Sequence, residues 1–134
     1  VQIIKPFKFF SIFELCETES GLKNIPNQAE IYALSLLINN VLDPLRLSYG
    51  RSIKVNSGFR CVEVNKHVGG VSSSQHLKGE AADITGGSKE ENKKIFEIIK
   101  KLGVYDQLIV EKDYTWIHVS YSAVHNRKMI INIK

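Results

Sequence analysis

Four histidines stand in this chain, and two of them fall where an imidazole could share a site with a carboxylate. His76 and Asp83 belong to one segment, Ser74-Gln-His-Leu-Lys-Gly-Glu-Ala-Ala-Asp83, and His118 follows in Trp116-Ile-His-Val-Ser-Tyr121. Two imidazoles and one carboxylate match a catalytic zinc site, in which three protein ligands leave a fourth position for water. Zinc so held lowers the pKa of that water towards ~7 and polarises a carbonyl. The spacing suits such a site. A loop delivers His76, Gly79 allows a tight turn, and the small Ala81-Ala82 pair lets the next strand approach closely and present Asp83. Taken singly, each of the three is more often a surface or structural residue. His67 and His125, in loop or helix-end positions without partners, illustrate that case and carry no expected role.

The elements that must position these groups follow from periodicity and caps. Ser11-Ile-Phe-Glu14 reads as a capping box, predicting a short helix that ends near Ser20-Gly21. Asn27 is placed to cap a second helix, whose stripe of Ile31, Leu34, Leu37, Ile38, Val41, Leu42 and Leu45 has the 3.6-residue period of a packed face. Pro44 predicts a kink or an end, and Ser48-Tyr-Gly50 closes the segment. Ile53-Lys-Val-Asn56 alternates as a strand, and a short helix is expected from Val62 to Lys66. Glu80-Ala-Ala-Asp-Ile84 reads as a buried strand. Ser88-Lys-Glu-Glu91 opens a helix with Ile95, Phe96, Ile98, Ile99 and Leu102 towards a core. Three strands complete the chain: Asp106 to Glu111, Thr115 to Tyr121 and Lys128 to Ile133. Helices mainly first and strands mainly last predict an α+β fold, with helices on one face of a small antiparallel sheet.

The bulk properties narrow the class. A length of 134 residues suits a single domain over 1–134, and 43% hydrophobic with 24% charged residues is an ordinary globular balance. No apolar run approaches the ~18 residues of a spanning helix. The net charge of +4 comes from scattered lysines, with no basic run interleaved with aromatics, so no nucleic-acid partner is expected. It suits attraction to anionic polymers, a bacterial cell wall among them. Cys16 and Cys61, far apart and without CxxC spacing, are expected as reduced, partly buried thiols. The opening Val1-Gln-Ile-Ile-Lys-Pro6 has neither a starting Met nor the apolar stretch of an export signal. Localisation is therefore open between an exported enzyme whose signal was trimmed and a cytoplasmic prophage lysin released at lysis.

Ser74-x-His76, Gly79, Ala81-x-Asp83 and the later Trp116-x-His118 together resemble the zinc D-alanyl-D-alanine carboxypeptidase family, of host or phage origin. The resemblance extends through Val55-Asn-Ser-Gly-Phe-Arg-Cys61 and Asn65-Lys-His-Val-Gly-Gly70, and reaches Phe13-Glu-Leu15 and Leu42-Asp-Pro-Leu-Arg46. The family includes D,D-carboxypeptidases, D,D-dipeptidases and phage endolysins that cleave L-Ala-D-Glu, and it shares its fold with Hedgehog signalling domains. The resemblance implies one zinc ion on His76, Asp83 and His118 and peptidoglycan stem peptides as substrate; the chain is expected to act as a monomer. It implies that Arg60 steadies the substrate carbonyl and the developing oxyanion, a role suited to a permanently charged group with several donors. It also implies that Ser74 contacts substrate; a hydroxyl that stabilises its own loop is the alternative.

In one respect the chain departs from its relatives. Many members place an acid three residues before the last histidine, where this chain has Thr115, which cannot accept a proton from water. Glu111 and Asp113 are the nearby acids. If Asp113-Tyr114 form a two-residue hairpin turn, Glu111 faces Trp116 and shares a face with His118, while Asp113 sits at the solvated tip. Glu111 is thus the expected base, with Asp113 as the other candidate and an edge-strand glutamate in water as the plain alternative. A module that binds zinc and cell wall without cutting it is the competing function, and a Hedgehog-like signalling module is a third.

Overall fold

Residues 2–134 are described by a computed structural model. Asn27 opens the first long helix, α2 (Gln28–Leu37): its side chain accepts from the Glu30 N–H while the Glu30 carboxylate accepts from the Asn27 N–H, a complete capping box. A π turn, Ile38–Leu42, leads directly into α3 (Asp43–Tyr49). Pro44 has no N–H to offer in the first turn of α3, and the wider π turn before it absorbs the break in the ladder. The expected kink is therefore a change of pitch. Leu34, Leu37, Ile38, Val41, Leu42 and Leu45 are buried along this segment, whereas Ile31 is exposed. The first helix, α1 (Ile12–Leu15), is a single turn that stops well short of Ser20.

Five strands form one sheet: β1 (Lys54–Ser57), β2 (Ala81–Thr85), β3 (Gln107–Glu111), β4 (Trp116–Ser120) and β5 (Met129–Asn132), in the order β1-β2-β4-β3-β5. The α+β class holds, but the sheet is mixed, because β5 runs parallel to β3. Since β2 already occupies one edge of β4, the returning chain takes the free edge of β3 instead. Asp106 anchors it there, its carbonyl accepting from the Met129 N–H and its carboxylate from Arg127.

Side chains alternate across the sheet. Ala82, Ile84, Leu108, Val110, Ile117 and Val119 join the hydrophobic core with α2, α3 and α5 (Lys89–Leu102). On α5, Ile95, Phe96 and Ile99 are buried and Ile98 half-buried, while Leu102 lies in solvent. Asp83, paired with His118, and Glu111, paired with Trp116, occupy the opposite face. That face is not bare of helix: α4 (Val62–His67) packs on the 3₁₀ turn Gln75–Lys78, which in turn contacts β2. Cys16 and Cys61 are unpaired thiols, both half-buried. Among the described residues, no helix is long and apolar enough to cross a membrane.

The Arg127 guanidinium beside Asp106 holds that buried carboxyl down at about 2, against burial, which acts in the other direction. A depressed carboxylate pKa stabilises the fold above the unfolded value of ~3.9 and ceases to as pH falls to ~2. Arg127→Ala should therefore lower stability at about pH 6, a deficit that shrinks between about pH 4 and 2. Urea unfolding at a series of pH values checks this; a deficit unchanged at about pH 2 would contradict it.

Candidate metal centre

Asp83 comes from the second strand of the sheet and His118 from its antiparallel neighbour β4, at directly opposed register positions. Opposed residues share a face, so register alone brings the carboxylate to the imidazole: His118 Nδ1 lies 2.9 Å from Asp83 Oδ1. His76 arrives from the 3₁₀ turn, whose N-terminus is capped by the Ser74 hydroxyl accepting from the His76 N–H at 3.1 Å. Its Nε2 lies 3.3 Å from the same oxygen of Asp83. One donor atom from each of the three residues lies within 4.8 Å of the others. The two rings meet edge to face with centroids 5.1 Å apart.

Backbone contacts fix the His76 ring. Its Nδ1 is 2.6 Å from the Gly58 carbonyl oxygen. An oxygen can only accept, so Nδ1 carries the proton and Nε2 presents a lone pair towards Asp83. A backbone carbonyl on the remote nitrogen is the usual way a metal-binding imidazole is oriented. Gly58 can stand there because a Cβ on it would lie 2.2 Å from the Leu15 carbonyl oxygen. Gly79 ends the 3₁₀ turn at φ +74°, and a Cβ there would lie 2.6 Å from the Glu30 carbonyl oxygen.

The donor chemistry fits a cation. With Nδ1 protonated, the His76 lone pair faces a carboxylate oxygen at 3.3 Å in a buried setting, and two acceptors in that relation need a positive centre between them. Two nitrogens and one oxygen, with no thiolate near, are a set that suits Zn²⁺. Burial pushes the Asp83 carboxyl up, but its histidine contacts, the His118 hydrogen bond first among them, outweigh it and hold the group ionised far below the usual carboxylate range.

Arg60 lies against this group. Its Nε donates to Ser57 Oγ at 3.0 Å, Nη1 to Asn65 Oδ1 at 3.1 Å and Nη2 to Asp83 Oδ2 at 3.4 Å. Three of the five guanidinium N–H groups are so engaged, and the rest are free for a ligand. A cleft of about 580 Å³ reaches Arg60 and Ser57 from Glu17 and Lys54, over Phe59 and Val64; it meets the site at Arg60, and none of His76, Asp83 and His118 lines it.

Glu111 ends β3 opposite Trp116, the pairing expected from parity. The turn beyond it differs from the two-residue hairpin: Lys112, Asp113 and Tyr114 all have positive φ, and the Thr115 hydroxyl donates to the Lys112 carbonyl. Glu111 is half-buried; burial, and then the Asp83 charge, push its pKa up. Asp113 is exposed and bound to Lys89, which holds its pKa down. The structure thus brings His76, Asp83, His118 and Arg60 together and leaves Asp113 in solvent, while the Ser74 hydroxyl serves its own turn. The Gly58 carbonyl, Asn65 and Ser57 were not singled out from sequence. Their only signal was membership of the Val55–Cys61 and Asn65–Gly70 stretches, whose backbone contacts have no sequence signature.

Comparison with known proteins bears on this arrangement. The sequence profile of the family described as Peptidase M15 matches residues 10–120. The zinc D-Ala-D-Ala carboxypeptidase of Streptomyces albus G is 47% identical over 49 residues. That match covers 36% of this chain and 19% of the relative.

His76→Ala removes the only donor carried by the 3₁₀ turn, and stoichiometric metal uptake, read by elemental analysis, should be lost; full uptake would contradict the assignment. Gly79→Ala meets both positive φ and a backbone clash, and should cost at least about 1–3 kcal/mol in thermal or urea unfolding. A neutral Gly79→Ala variant would show that the turn is not constrained as described.

Proposed function

Because the chain belongs to the peptidase M15 family, we propose that it is a zinc-dependent peptidase that hydrolyses a peptide bond in the stem peptides of bacterial peptidoglycan. The observation that carries this reading is the convergence of His76, Asp83 and His118 with an unexhausted guanidinium, Arg60, which also borders an open cleft. A module that only bound zinc and cell wall would have no use for the remaining N–H groups of that guanidinium, nor for a carboxylate of raised pKa on the same sheet face.

His76 and His118 would hold the metal through imidazole nitrogens and Asp83 through a carboxylate oxygen. Zinc so placed acts as a Lewis acid towards a carbonyl and lowers the pKa of water to ~7. The chain's own residues do the remaining work. The stem peptide runs from the cleft past Arg60 to the metal residues, and the free N–H groups of Arg60 hydrogen-bond the scissile carbonyl oxygen as negative charge develops on it. Ser57 and Asn65 hold the guanidinium still, so the donors are in place before the reaction starts. Glu111 takes the proton of the attacking water and returns it to the leaving amine. Burial, and then the Asp83 charge, push its pKa up, the direction that makes a carboxylate a better proton acceptor. Ser74 touches the bound peptide while it caps the His76 turn.

The name of the Streptomyces relative points to a terminal D-Ala-D-Ala bond, while the open cleft beyond Arg60 equally suits a bond inside a stem peptide. Digestion of purified peptidoglycan by the zinc-loaded chain, read by mass spectrometry, tests the reading and names the bond, since each bond releases a different fragment. Stoichiometric zinc with no released fragment would favour the non-catalytic module.

Two sets of variants test the roles. Arg60→Ala should keep zinc and lose about a hundredfold or more in turnover, the scale for loss of one oxyanion donor. Unchanged turnover would make Arg60 a purely structural neighbour of Asp83. Glu111→Gln keeps shape and should lose ~10²–10⁴-fold, with Asp113→Asn nearly silent. The reverse pattern on the same substrate would assign the base to Asp113.

A further inference from the structure

Gln75 immediately precedes the ligand His76, and its side chain reaches away from the metal site to a buried carboxylate. Its Nε2 donates to Asp106 Oδ2 at 2.9 Å and lies 3.3 Å from Glu80 Oε1. Its own amide oxygen is buried without a hydrogen-bond partner. Leaving that oxygen unpaired costs about 1–3 kcal/mol, yet the opposite orientation would set it against two carboxylates. The amide is therefore locked in one orientation by Asp106.

Asp106 is itself locked. Its Oδ1 accepts from the Arg127 backbone N–H and from Nε, and its Oδ2 from Nη2, each at 2.9 Å. The fork-shaped pair leaves the carboxylate 4% exposed. Its backbone N–H donates to the Ser120 carbonyl, two residues beyond His118. The chain Arg127–Asp106–Gln75 thus runs from the C-terminal segment, across the start of β3, to the turn that carries His76. The Gln75 carbonyl closes that same turn by accepting from the Glu80 N–H at 3.0 Å. Arg127 lies outside the stretch, 10–120, that matches the family profile.

We propose that Gln75, gripped by the Asp106–Arg127 pair, is a positioning residue for the metal centre: it fixes the turn that presents His76 to Asp83, and so makes the C-terminal segment part of the zinc site's support. The inference rests on the zinc reading above. Gln75 touches neither metal nor substrate; it acts by restricting where the His76 backbone can sit. Removing it leaves His76 tied by Gly58 and Ser74, so the ligand is retained but spends part of its time out of place.

The test is zinc affinity by chelator competition, on folded protein well below the unfolding temperature, with apo-protein melting followed in parallel. Gln75→Ala and Arg127→Ala should each weaken zinc about tenfold or more, the lower end of losses seen when groups that orient metal ligands are removed. Arg127→Lys, which keeps the charge and loses the fork, should fall between. Because both residues act through Asp106, the double variant should be scarcely weaker than either single one, whereas independent effects would multiply to about a hundredfold. A merely structural network would lower the melting temperature and leave zinc affinity within about twofold of the wild type, and that result overturns the proposal. A wild-type chain that binds zinc but cuts no peptidoglycan would overturn the proposed reaction, while the affinities still decide the role of Gln75. A wild-type chain that takes up no zinc overturns both.

Discussion

A carboxylate taken out of water survives only where opposite charge and hydrogen bonds replace its hydration. Asp83 is such a group, buried in a central strand with two imidazoles on one oxygen and a guanidinium on the other. Most of what surrounds it is arranged to meet that demand. The register between β2 and β4 brings His118, and Ser57 with Asn65 holds Arg60 at the second oxygen, while the Gly58 carbonyl turns the His76 lone pair towards the place that a cation would fill. A site whose negative centre needs this much positive surrounding is also one in which a divalent cation is well placed.

The fold meets the demand by dividing the sheet. One face contributes aliphatic side chains to the core, and the alternate positions of the same strands hold the polar constellation. Rigidity therefore comes to the site from the packed face: Ala82, Ile84, Ile117 and Val119, the sequence neighbours of Asp83 and His118, are all fully buried. His76 lacks that support, because it comes from a turn and not from a strand. Its fixation falls to short backbone contacts at Gly58 and Ser74, to the tight approach of Gly79 to Glu30, and to the Gln75–Asp106 tether.

What could be read from sequence was what depends on local pattern. Period-two alternation placed the strands within a residue or two, and parity alone set Glu111 opposite Trp116, even though the turn beyond is a left-handed run of three residues and not the simple hairpin expected. Caps at Ser11, Asn27 and Ser88 marked true helix starts, but nothing at Ser11 announced that its helix would last one turn. The parallel placing of β5 was not legible, since alternation identifies a strand and not its neighbour. Nor was the Asp106–Arg127 pair: one residue looked like an ordinary strand start and the other like a loop cation, and only the return of the chain along β3 brings them together. The metal residues were legible because their types and spacing are unusual together. The groups that orient them act through backbone carbonyls and amides, which every residue has.

Whether His76, Asp83 and His118 jointly hold a zinc ion is decided most directly by X-ray absorption of the zinc-loaded chain at the zinc edge. The expected spectrum has a first shell of nitrogen and oxygen only, at about 2.0–2.2 Å, with the outer-shell scattering of two imidazoles that falls to one in His118→Ala. A sulfur shell at about 2.3 Å, or a spectrum unchanged by His118→Ala, would place the metal elsewhere and contradict the three-residue site.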